Sequence, residues 1–324
     1  MFSERRILPR VSISAWMTKL KTRKLPKGKM SDQEVFSPHG LEPSHQDFAR
    51  LRQLERAILR HSGGYERFCE DIPQLFRQAM DEVIDAPRSK RFTIKEIEKT
   101  EKTYIGTKVE ILVRNHLNIP KGKTLDLAID GIEVDIKNTV GNNWMIPLEA
   151  IGHPCILIKL DEETAKCSFG IIVIRQEILN KVNRDKKASI KAKCLASVHW
   201  MLRDAAYPEN FWEGLSAETK QQVMSPPGGT ERVAVLFRRH QGRPISRKLV
   251  EALAQQSDPT RRIRKNGGAR DPFQKEGIVL LSGQVDRKLI EELGLPSCKR
   301  DEFIAFQPND ENHLRLLRDA KKIS

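Results

Sequence analysis

A chain of 324 residues with 57 Lys and Arg against 43 Asp and Glu has a formal net charge of +14, which marks affinity for a polyanion without separating DNA from RNA or an anionic membrane surface. That length suffices for two domains with a full core each. The five cysteines (Cys69, Cys155, Cys167, Cys194, Cys298) show no Cys-x-x-Cys spacing, which argues against a zinc or disulfide framework and fits a reducing cytoplasm; no apolar run approaches the roughly twenty residues of a bilayer span, and the basic start lacks the apolar core of a secretion signal.

Residues 1–45 are rich in Lys, Arg, Ser and Pro without a sustained period, and residues 1–30 hold nine Lys/Arg against Glu4 alone. Such a segment reads as a disordered tail or a DNA-tethering arm. Helices are expected over Gln46–Leu59 and Ile72–Ile84, with a turn at Asp85-Ala86-Pro87. A third is expected over Lys99–Leu117, where Ile105, Val109, Leu112, Val113 and Leu117 recur at helical spacing. Glu110 sits inside that apolar pattern, and an acid there needs a cation or a donor, because an unpaired buried charge is costly.

The run LDLAIDGIEVDIKN, Leu125 to Asn138, reads as a hairpin. Leu125, Leu127 and Ile129 alternate, Asp130-Gly131 makes the turn, and Ile132, Val134 and Ile136 alternate again. Period-two geometry puts Asp135 and Lys137 on the face opposite that apolar set, and the hairpin folds Asp126 back beside them. Alone, Asp-x-Lys on a strand describes a solvated ion pair as well as a catalyst. Two converging carboxylates with a neighbouring ammonium, and Glu110 as a third acid, instead make an oxygen-ligand site for a hard cation such as Mg2+ and a group that can orient or deprotonate water. That apparatus suits phosphodiester cleavage.

The loop that follows, Asn138 to His153, presents Asn142 and Asn143, whose amides could read base edges or donate to phosphates, and a Trp144 that looks exposed. The competing reading is a tight turn followed by a core-packing Trp144-Met145 pair. His153 reads as structural. Pro154–Leu160 and Phe169–Arg175 look like buried strands, Arg175–Val182 like a short helix, and the basic run from Asn183 to Lys193 like a solvated surface. A mixed sheet with helices on its faces follows.

In the last third, RVAVLFRRHQ and SRKLVEALAQQ read as two helices. After Ser257-Asp258-Pro259, with Asp258 as N-cap, comes a basic helix carrying Arg261, Arg262, Arg264 and Lys265, ended by Gly267-Gly268, and then the strand EGIVLLSG. Helix, helix, basic helix, strand is winged helix-turn-helix order, whose third element enters the major groove. Residues 231–275 hold twelve Lys/Arg against four acids, whereas residues 96–138 hold seven against eight. Binding charge is thus segregated from the candidate catalytic acids.

The segments EKTEKTYIGTKVEI, GIEVDIKN, NWMIPLEAIGH and LFRRHQGR, with the sixteen-residue step from Glu110 to Asp126, resemble the NaeI family of type II restriction endonucleases, in order from about residue 70 to about 300. The resemblance implies Mg2+-dependent double-strand cleavage of DNA at a short palindrome, suggests GCCGGC, and implies that two copies of the site are engaged, one cut and one acting as effector. It assigns Glu110, Asp126 and Asp135 as acidic metal ligands and Lys137 as the catalytic lysine. The expected architecture is α/β: a basic tail over residues 1–45, a restriction-endonuclease-like mixed sheet flanked by helices over 46–200, and a winged-helix DNA-binding domain over 201–324. A palindromic target implies a homodimer, and no membrane partner is expected. A mismatch- or methyl-directed repair nickase, a winged-helix regulator with a relic nuclease fold, and an RNA-processing nuclease are the alternatives.

Overall fold

A computed structural model describes residues 37–255 and 270–323. Two helices open the ordered chain, α1 (Phe48–Ser62) and α2 (Tyr65–Ile84), followed by the short α3 (Ala86–Ser89) and by α4 (Lys99–Leu117). Gly63 ends α1 in the left-handed region at φ 82°, where a residue without Cβ is unstrained. Helix α2 begins seven residues before the position expected from sequence. Pro73 lies inside it rather than near its start, because Phe68, Ile72 and Phe76 continue one buried stripe through the proline, and burying that stripe outweighs one missing backbone hydrogen bond. Helix α4 starts at a reciprocal cap between Glu98 and Glu101 and ends at Asn118, φ 51°.

The hairpin forms as β1 (Leu127–Ile129) and β2 (Ile132–Thr139), paired antiparallel with Ile129 opposite Ile132. Asp130 and Gly131 both take positive φ, 49° and 81°, the pair of angles a two-residue I′ turn requires. After β3 (Met145–Pro147) come β4 (Pro154–Asp161), β5 (Lys166–Val173), β6 (Lys187–Ser189) and β7 (His199–Ala206). The central sheet is five-stranded and mixed, in the order β1-β2-β4-β5-β7, with β2 and β4 parallel and its other pairs antiparallel.

Strands β4 and β5 are apolar along their length because both their faces are covered. Ile156, Ile158, Phe169 and Ile171 pack under the helices, with Phe68 of α2 edge-on to Phe169 at 5.1 Å. Cys155, Leu157 and Ile172 pack on the other side with Trp144, Ile146 and Ile190. Trp144 is therefore a core residue, its indole N–H donating to the Ile158 carbonyl at 2.8 Å, while Met145 next to it is exposed. The stretch expected as a helix over 175–182 holds only a 3-10 turn, Gln176–Ile178, after which Leu179 bridges to Ile190.

The N-terminal boundary moves as well. Residues 37–45 belong to the fold: the Ser37 N–H donates to Glu55 at 3.0 Å, the Leu41 N–H donates to His199 Nδ1 at 3.0 Å, and His199 Nε2 meets Glu55 at 2.9 Å in a pair with no exposed side-chain surface. Residues 1–36, the rest of the expected tail, lie outside the described residues. At the other end, a boundary after residue 200 would cut β7, whose Met201 and Leu202 are buried in the sheet.

Beyond the sheet come α5 (Ala217–Met224), α6 (Gly229–Arg239), β8 (Ile245–Ser246), α7 (Arg247–Ala254), α8 (Arg270–Lys275), β9 (Val279–Ser282), α9 (Arg287–Glu292), β10 (Glu302–Phe306) and α10 (Glu311–Asp319). The three strands form a second, antiparallel sheet in the order β8-β10-β9. One side of this unit, with Val233, Phe237, Val250, Phe273 and Phe303, is continuous with the core under the central sheet. Lys90 donates to the Met224 carbonyl and Gln255 to the Pro87 carbonyl across the junction. Among the described residues no helix is long and apolar enough to cross a membrane.

Candidate active site

The hairpin brings Asp126, Asp135 and Lys137 together. Lys137 Nζ lies 2.6 Å from Asp135 Oδ1 and 3.3 Å from Asp126 Oδ2, and donates at 3.0 Å to the carbonyl of Ile136. Asp126 is held from behind by the Ile136 N–H, 3.1 Å from the same Oδ2. Asp135 faces Cys155, its register partner on β4, whose Sγ is 3.8 Å from Oδ2. The Asp135 side chain is 3 % exposed, whereas Asp126 and Lys137 keep 28 % and 26 %. One carboxylate is thus buried and one faces outward, with the ammonium touching both.

Burial, followed by the hydrogen bond with Asp126, pushes Asp135 up to about 7. Burial opposes ionisation of Asp126 too, but the hydrogen bond with Asp135, the charge of Lys137 and the Ile136 N–H together bring it below the usual carboxylate range. The two acids behave as one system that shares a proton, because desolvated like charges cannot both ionise without compensation. Lys137 is shifted upward: burial works against its charge, and the Asp135 and Asp126 charges overcome it. Oxygen donors this short of positive charge suit a hard divalent cation, which would replace the shared proton.

Glu110 lies on α4 within electrostatic reach, raised by burial and then by the charge of Asp126. Its carboxylate is paired with Arg114, one turn along, at 3.0 Å. Three acids do not converge, and among the described residues no group of three His, Cys, Asp or Glu is placed to hold a metal ion. Two of the three expected acids and the lysine therefore meet, and the third stands beside them in an ion pair.

The sequence reasoning missed the device that presents Asp126. Glu133, on β2, accepts from the backbone N–H groups of Lys123, Thr124 and Leu125 at 2.8, 3.1 and 2.9 Å, and these bonds hold its carboxyl below the usual range. Gly122 makes the fold-back possible: a Cβ there would stand 2.4 Å from the Leu125 carbonyl oxygen and 2.6 Å from Glu133 Oε2. The signal was present as Gly122 followed eleven residues later by an acid, but nothing in its spacing separates it from an ordinary surface turn.

Asn142 is exposed and meets Lys159 at 3.4 Å. Asn143 is not free to read a base in this arrangement. Its Oδ1 accepts from the Trp144 and Ile190 N–H groups and its Nδ2 donates to the Ile190 carbonyl, tying the loop to the strand region beyond. Arg261, Arg262, Arg264 and Lys265 lie outside the described residues.

A family model described as Restriction endonuclease NaeI matches residues 66–311. The Type II restriction enzyme NaeI of Lentzea aerocolonigenes is 32% identical over 252 residues, covering 74% of this chain and 80% of that protein.

Proposed function

The chain belongs to the restriction endonuclease NaeI family, and from that premise we propose that it cuts both strands of DNA at a short GC-rich palindrome, GCCGGC or a relative of it, with Mg2+ as cofactor. As a member it is a type II restriction enzyme, a site-specific DNA endonuclease. The observation that carries the mechanistic reading is Lys137 Nζ touching both Asp126 and the buried Asp135.

In this reading Asp126 and Asp135 hold Mg2+, with Glu110 as a direct or outer ligand after leaving Arg114; bound there, the cation supplies positive charge for the developing negative charge on the phosphate. Lys137 orients the attacking water in line with the scissile bond. The charges of Asp135 and Asp126 keep it an ammonium, so it first acts as a donor to the water or to a phosphate oxygen. Once those carboxylates are neutralised its proton is held less tightly, and it can exchange protons with the nucleophile. The products carry 5′-phosphate and 3′-hydroxyl ends, without a covalent intermediate.

The C-terminal unit is read as a winged helix that binds a second, effector copy of the site. Its support is the order helix α6, strand β8, helix α7, helix α8, strands β9 and β10, with β10 between the other two, and the basic composition of residues 231–275. A palindromic target calls for a homodimer. The test is purified protein with plasmids carrying one or two GCCGGC sites, in Mg2+ and in EDTA, with the ends mapped. Discrete Mg2+-dependent double-strand cuts, faster on the two-site plasmid, are expected. Nicks alone would move the reading to a repair nickase, and retention without cutting to a DNA-binding regulator.

A further inference from the structure

Asn138 follows Lys137 on β2, and its side chain is the one polar group beside the catalytic cluster that the fold leaves unsatisfied. Its Oδ1 is enclosed and has no hydrogen-bond partner among the described residues. Every other polar side chain of the hairpin's catalytic end is engaged: Asp126, Asp135 and Lys137 with one another, Glu133 with three backbone N–H groups. A buried amide oxygen without a donor is costly, and such an atom at a functional site needs an explanation.

The neighbour across from Asn138 is also unusual. Gly106 lies in the interior of α4, where glycine weakens a helix relative to alanine. Nothing in the fold requires it: a Cβ at Gly106 would meet only Asn138 Cβ, at the ordinary contact distance of 3.9 Å. Gly106 also precedes Glu110 by four residues, so the two share one stripe of the helix a single turn apart. The notch between Gly106 and Asn138 therefore continues the groove that begins at Glu110, Asp126 and Lys137. A glycine that packing does not need, opposite an acceptor that the fold does not satisfy, marks a place kept open for a ligand.

We propose that this notch admits the base pair flanking the scissile phosphate and that Asn138 Oδ1 accepts a hydrogen bond from its exocyclic amine, making Asn138 a specificity-determining residue of the cleavage site. The class of ligand follows from the polarity of the orphan atom. Phosphodiester and deoxyribose oxygens of an internal nucleotide offer acceptors and no donor, so DNA can satisfy Oδ1 only through a base, at N4 of cytosine, N6 of adenine or N2 of guanine. One residue along a strand is about 3.3 Å, which keeps Asn138 beside the phosphate that Lys137 serves. This assignment rests on the DNA-cleavage reading above.

The test uses single-turnover cleavage of synthetic duplexes containing the mapped site, in which each base flanking the cut loses its exocyclic amine in turn: 2-pyrimidinone for cytosine, inosine for guanine, purine for adenine. For the unsubstituted enzyme one such deletion is expected to slow cleavage on the order of 10–100-fold. Asn138→Ala should cleave the complete duplex slower by a similar factor and lose no more on that one deletion, while keeping the unsubstituted enzyme's response to the others. Asn138→Asp, which keeps an acceptor oxygen, should retain the sensitivity. Gly106→Ala should raise the melting temperature and yet slow cleavage, separating a closed notch from a damaged fold. A uniform loss by Asn138→Ala on every duplex, no loss at all, or a fully active Gly106→Ala overturns the assignment while leaving the nuclease reading standing. An unsubstituted enzyme that cuts no duplex with Mg2+ overturns both.

Discussion

The central sheet and the C-terminal sheet use charge in opposite ways. At β1 and β2 an acid is buried to 3 % exposure and an ammonium is fixed against two carboxylates. In the C-terminal unit the charges stay at the surface, as in the Arg238–Glu276 pair, whose side chains are 33 % and 37 % exposed. A desolvated charge acts strongly on a neighbour a few ångströms away and depends on its geometry, whereas surface charges act additively over about 8 Å, the screening length at physiological salt. The first arrangement suits bond breaking, the second holding a polyanion. Substitutions should therefore give all-or-none effects in one region and graded, salt-dependent effects in the other.

The largest effect is expected at the cluster itself. Asp135→Ala or Lys137→Ala should lower the cleavage rate by about 10³-fold or more while DNA retention in a gel-shift assay changes little. Appreciable turnover by Lys137→Ala would remove its assigned role. Next should come the support behind Asp126. Glu133→Ala releases three N–H groups and Gly122→Ala forces the loop off its path, and each should cost about 10–100-fold in rate by displacing Asp126, on the order of what a 1 Å misplacement costs. Glu133→Ala cutting at the unsubstituted rate would show that the hairpin alone suffices to place the carboxylate.

The contrast also explains what the sequence could reveal. Alternation in residues 125–138, the Asp130-Gly131 turn and the Asp135/Lys137 spacing are local, so the hairpin and its three catalytic candidates were legible; so was α4, where Lys99–Leu117 matches the observed helix. Glu110's pairing with Arg114, the burial of Trp144 and the use of Asn143 as a tie to Ile190 were not legible, because each is settled by contacts between elements. Residues 37–45 read as part of a tail for the same reason. Their partners, Glu55 and His199, are 18 and up to 163 residues away in the chain.

A proton should compete with the cation at the sheet and not at the surface charges. Asp135 is pushed up to about 7, so below that pH the pair must lose a proton before a divalent cation enters, and above it the pair is ready. Apparent Mg2+ affinity, read from cleavage titrations between pH 6 and 8, should weaken toward the acid side by up to about tenfold per unit below 7. An affinity flat across that range would mean that the two carboxylates do not share a proton in the enzyme. DNA retention without metal should show no step at 7.

The smallest effect per residue is expected from the basic segment of the C-terminal unit. If Arg262 and Arg264 each neutralise one phosphate of a bound duplex, replacing both by Ala removes two counterion-release contacts, and the slope of log affinity against log salt should fall by about 2. Cleavage of a one-site plasmid should then persist at low salt, while the advantage of the two-site plasmid shrinks, because the catalytic cluster is untouched and only the second duplex is held less well. An unchanged slope would place these arginines off the DNA. Loss of one-site cleavage with an unchanged slope would tie them to the sheet's chemistry and erase the division of labour between the two regions.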